Sequence, residues 1–131
     1  MKHSVFSAGL ILAFILVLSG CKKHSEDMVR GTWEFVNVAD IEAPHTIEWV
    51  FEDGNLSIYH RSTSNPEDLT LRDTGFYILE STPFNSTIRL LNTSNSLWNN
   101  HWDVVKLDSS HLILHMDIPG GVLFKEFVKI Q

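Results

Sequence analysis

Five histidines after residue 44, His45, His60, His101, His111 and His115, are the side chains best suited to proton transfer or metal ligation in this sequence. Their spacing builds neither. His111 and His115 would share one face of an extended strand, but four residues at roughly 3.3 Å each place them ~13 Å apart, too far for one metal ion. Serine, cysteine and glycine do not fall into a nucleophile elbow, a Cys–His pair or a phosphate-binding loop. Asp103 and Glu126 are acids that an inward-facing strand position could turn to proton transfer, but only geometry would pair them. The expectation is therefore a protein that is not an enzyme and has no metal site and no cofactor. The remaining chemistry lies in Cys21, the only cysteine, and in the tryptophans Trp33, Trp49, Trp98 and Trp102.

Cys21 follows Leu18-Ser19-Gly20 at the end of an apolar run from Ala8, and the start of the chain carries Lys2 and no acid. The run is shorter than the roughly 20 apolar residues a spanning helix needs. Its order is that of a cleaved export leader. The stretch resembles the lipobox of bacterial lipoproteins, in which the cysteine sulfur receives a diacylglycerol before the leader is removed. The resemblance implies a leader over 1–20, a lipidated polar tether over 21–28 and a domain over 29–131. Lys22 is not the Asp that keeps many lipoproteins at the inner membrane, which implies anchoring at the outer membrane through lipid on Cys21. Each buried CH₂ of an acyl chain adds about 0.8 kcal/mol, so two or three chains hold the protein firmly.

The chain carries ten basic and sixteen acidic residues, a formal charge of −6. Loss of Lys2 with the leader makes it more acidic still, which argues against nucleic acid as a partner. With no second cysteine, stability must come from packing and backbone pairing.

From Gly31 onward short alternating runs are separated by turn residues, with strands expected at about 32–38, 46–52, 55–61, 71–80, 86–91, 101–107, 111–117 and 122–130. No convincing helical period follows Cys21. Asp53-Gly54 suits a two-residue type I′ hairpin. That turn pairs Phe51 with Leu56, Trp49 with Ile58 and Ile47 with His60 on one face, and sets mostly polar residues on the other. A second hairpin at Ser109-Ser110 pairs Leu107 with Leu112 and Val105 with Leu114, unless a bulge near Lys106 turns Trp102 and Val104 inward instead. The turn Pro119-Gly120-Gly121 leaves parity open. The last strand buries either Phe124, Val128 and Ile130, or Leu123 and Phe127 with the stems of Lys125 and Lys129.

The first, third and fifth connections are long and polar, and the second and sixth are tight. In an all-β, eight-stranded up-and-down antiparallel barrel, one end is then closed and the other rimmed by loops. Such a barrel has room inside for its own side chains or for one small ligand.

Gly31-Thr32-Trp33 before the first of eight strands resembles the lipocalin-like domains of calycin type, especially small ones found as lipoproteins in Bacteroidetes. The resemblance implies that Trp33 plugs the closed end under a cation, Lys129 or Lys125. From the residues themselves, a binding barrel would hold a small, largely apolar ligand at the loop-rimmed end, with Trp98, Trp102, Trp49 and Ile47 as contacts and His60 as polar anchor. The chain departs from secreted lipocalins in lacking a helix after the eighth strand, a disulfide and a C-terminal Arg. The competing expectation is a barrel filled solid by its side chains, serving as a protein-interaction or envelope-structural module.

Overall fold

The computed structural model describes residues 23–36 and 44–131. Cys21, the leader and most of the first long connection lie outside the described residues. Eight strands follow in chain order: β1 (Gly31–Phe35), β2 (His45–Glu52), β3 (Asn55–Ser62), β4 (Leu69–Ser81), β5 (Ser86–Leu91), β6 (His101–Leu107), β7 (His111–Ile118) and β8 (Gly121–Lys129). Each pairs antiparallel with its neighbour, and β8 returns to β1 through Trp33↔Lys129 and Phe35↔Phe127. The closed barrel leaves no strand edge unpaired.

The β2–β3 hairpin has the register its pattern dictates. Asp53 and Gly54 take φ values of 47° and 82°, the two positive values a type I′ turn needs. Trp49↔Ile58 and Phe51↔Leu56 then face the core as pairs. At the β6–β7 hairpin the bulged alternative is the one adopted: the register slips between Val104 and Lys106, and Val105 is turned outward. The gain is the burial of Trp102, a far larger apolar surface than the valine it puts in water.

Parity of the last strand follows from a two-residue turn. Ile118 pairs with Gly121, and Gly120 takes φ 91°, the positive value a type II turn needs at its second central residue. Lys125 and Phe127 therefore point inward, while Phe124, Val128 and Ile130 are exposed. The bulge likewise sets Asp103 opposite His115, 3.8 Å from its Nε2, and Glu126 is exposed. Neither acid enters the interior.

Residues 23–29 form a short helix, α1, where the sequence suggested only a polar tether. Helix-compatible Lys and Glu are present, but Met28 and Val29 are its only large apolar residues, and seven residues are too few to show a period. Tertiary packing supplies what propensity does not, since Val29 is fully buried with the core.

Close packing also fixes Gly75 on β4. A Cβ there would lie 2.6 Å from the Leu91 carbonyl oxygen and 2.8 Å from Thr93 Cγ2. Backbone cannot yield as a side-chain tip can, so Gly75→Ala is expected to cost about 1–3 kcal/mol, read as a lower urea midpoint at unchanged slope. A midpoint equal to wild type would contradict this close approach.

Candidate functional site

Four aromatic rings and one amine converge in the loop-rimmed half of the barrel. Trp49 comes from the middle of β2, Phe35 from the end of β1, Trp102 from the start of β6 and Trp98 from the β5–β6 connection. Trp49 and Trp102 are buried, and Phe35 and Trp98 pack half-buried against the same core. The Trp98 ring lies 5.3 Å from that of Trp49 at 49°. Trp98 is held by more than contact. Its carbonyl accepts from Trp102 Nε1 at 3.0 Å, and its own N–H donates to the Asn95 carbonyl at 3.0 Å. The connection is braced in turn by Asn99, whose Oδ1 accepts from Thr93 N–H at 2.8 Å and whose Nδ2 donates to the Thr93 carbonyl at 3.0 Å. Polar residues that read as a loop thus form a built platform for one indole.

The amine is Lys125 on β8. Its Nζ lies 4.4 Å from the ring centre of Trp98, 4.8 Å from Phe35, 5.3 Å from Trp49 and 5.9 Å from Trp102. The residue is only 8% exposed. No carboxylate among the described residues forms an ion pair with it. Burial pulls its pKa down from 10.5 to about 8, because a desolvated ammonium loses the water that stabilises its charge.

At the rim, His45 and His60 stack with ring centres 4.2 Å apart and planes 13° from parallel. They share a concavity of about 150 Å³ with Pro44, Ser62, Asp68, Thr70 and Arg72. Burial, then the neighbouring His45 and Arg72, lower the pKa of His60, since each disfavours a second positive charge there. His60 pairs with Ile47 one step nearer the rim than the Trp49–Ile58 pair. Of the ligand contacts expected from sequence, Trp49, Trp98 and Trp102 are thus brought together, while Ile47 and His60 sit rimward. The polar group among the rings is Lys125, which the sequence suggested only as an alternative cation for the plug. Strand alternation marks it as inward once parity is known, but five residues from five segments show no common spacing.

The opposite end is sealed. Trp33 is fully buried, and its Nε1 donates to the Val29 carbonyl at 2.8 Å. Lys129 Nζ lies 4.9 Å from the Trp33 ring centre and donates to the Met28 carbonyl at 3.0 Å. The same tryptophan–lysine pair therefore closes the barrel and ties α1 to it.

Fold and site define a closed antiparallel barrel with one sealed end and one aromatic end bearing bases, and eight strands in this order are consistent with a lipocalin-like fold. Among known proteins, no family model, curated sequence or solved structure matches the chain. Among the described residues, no three His, Cys, Asp or Glu side chains gather to hold a metal ion, and no helix is long and apolar enough to cross a membrane.

Proposed function

We propose that the chain is an outer-membrane lipoprotein, anchored through Cys21, whose lipocalin-like barrel binds a small, largely apolar ligand with an anionic head at its loop-rimmed end. The observation that carries this reading is the Lys125 ammonium held among four rings with no carboxylate partner among the described residues. An isolated ammonium is costly to bury. Ring faces offset part of that cost, at roughly 0.5–2 kcal/mol, and a ligand carboxylate would offset more through a charge-assisted hydrogen bond. The tryptophans supply the apolar wall, Arg72 adds positive charge at the rim, and the stacked rings of His45 and His60 add polar ring nitrogens beside it.

Titration with dodecanoate and with dodecanol, followed by tryptophan emission, tests the reading. The carboxylate is expected to bind at least tenfold more tightly, and Lys125→Met to erase the preference. Equal binding of the two, or no emission change with either, would remove the anionic-ligand reading.

The packing of Trp49, Trp102 and Phe127, all essentially without solvent contact, favours a second reading. In it the barrel is filled and serves as a protein-interaction or envelope-structural module, and neither amphiphile binds.

A further inference from the structure

The sealed end carries an apolar projection that packing leaves unexplained. Phe84 stands on the β4–β5 turn and is 98% exposed. The turn that presents it is well built. Thr82 N–H donates to the Asn85 carbonyl at 2.8 Å, and the Thr82 hydroxyl oxygen accepts from Asn85 N–H at 3.0 Å. The ring is therefore held outward by a bonded turn. Beside it the β6 bulge turns out Val105, 54% exposed. Phe84, Val105, Met28 of α1 and Lys106 line one concavity of about 350 Å³.

The position of α1 gives this face its partner. The helix begins at residue 23, two residues after Cys21. At no more than ~3.6 Å per extended residue, a lipid on Cys21 is attached within about 7 Å of the helix start. An anchored chain thus brings this end of the barrel to the bilayer. Resting on the proposed lipid anchor, we infer that the face formed by Phe84, Val105 and Met28 seats on the membrane surface. Phe84 enters the boundary between headgroups and acyl chains, and Lys23 and Lys106 lie at headgroup level. Aromatic and aliphatic side chains flanked by lysines suit that interface, where a ring is buried while ammonium groups stay hydrated. The seat turns the aromatic box and its rim away from the bilayer, since they lie in the opposite, loop-rimmed half of the barrel.

The acylated, full-length mature protein offers a direct test, because its only cysteine is blocked by lipid and a second one can be labelled alone. Phe84→Cys and, at the loop-rimmed end, Ser64→Cys are each labelled with an environment-sensitive fluorophore and reconstituted into phosphatidylcholine vesicles containing brominated lipid. Quenching at Phe84→Cys is expected to be at least threefold stronger than at Ser64→Cys. Flotation of the protein with the vesicles, with equal or no quenching at the two positions, would overturn the seat and leave the anchor standing. Failure of the unlabelled wild-type protein to float would overturn the anchor and the seat together.

Discussion

Trp33→Ala is expected to lower the free energy of unfolding by about 3–5 kcal/mol, the range for truncating a large, fully buried aromatic side chain. For a small domain this is a large fraction of the total. The loss exceeds that of an ordinary core position because Trp33 joins three segments. Its Nε1 holds the Val29 carbonyl of α1, its ring lies under the Lys129 ammonium, and its strand closes the β1–β8 seam. Trp33→Phe keeps most of the apolar surface and loses the indole hydrogen bond, so a smaller cost of about 1–2 kcal/mol is expected. Urea unfolding followed by far-ultraviolet circular dichroism measures both. A loss below 1 kcal/mol for the alanine variant would show that this tryptophan does not seal the barrel.

Lys125→Met is expected to act in the opposite direction, raising stability by about 1–3 kcal/mol at neutral pH. Methionine fills similar space without a charge to desolvate. The pKa shift fixes the pH window. Below pH 8 Lys125 is protonated in both folded and unfolded chains, and the folded state carries the full cost of the buried charge. Between about 8 and 10.5 the folded protein releases this proton before the unfolded chain does. The unfolded state then binds more protons, and stability rises with pH. Above 10.5 both forms are neutral and the cost is gone. The difference between wild type and Lys125→Met is therefore expected to be largest near pH 7 and to shrink through pH 8–10.5. Taking this difference cancels the titration of the other lysines and tyrosines. The shift corresponds to about 3 kcal/mol at 1.36 kcal/mol per pKa unit, an upper figure because the four ring faces favour the charged form. A difference independent of pH would show that the amine is not desolvated in the folded protein. The same substitution is expected to abolish the preference for a carboxylate, so the group that costs the barrel stability is the one that would select its ligand.

Local rules were enough for the strands and for one register. Asp53-Gly54 fixes a turn by its own φ preferences, and alternation on either side then decides every facing pair from Phe51–Leu56 to Ile47–His60 without reference to any other part of the chain. The same alternation made eight short strands legible, and the number and lengths of their connections made an up-and-down order the simplest arrangement. Where the choice between two registers rested on packing against the opposite wall, the sequence stayed silent. The bulge at Val105 and the parity of β8 depend on which side chains the opposite wall can accept, and only the closed barrel shows that Trp102, Lys125 and Phe127 fit inside. Helix α1 escaped for a related reason. Its stability comes from Val29 and from the bonds made by Trp33 and Lys129, residues distant from it in sequence or outside its own period.

The candidate site divides along the same line. Its tryptophans are conspicuous by type, and a loop-rimmed end follows from loop lengths. Convergence of Phe35, Trp49, Trp98, Trp102 and Lys125 is a property of closure, because curvature of the sheet brings inward positions of β1, β2 and β6, and Trp98 of the β5–β6 connection, within 6 Å of the amine on β8. Sequence by itself determined the strands and their alternation, which rest on neighbours a few residues apart. Tertiary structure alone decided which charge the barrel buries, because burial depends on what lies across the interior and no spacing along the chain encodes it.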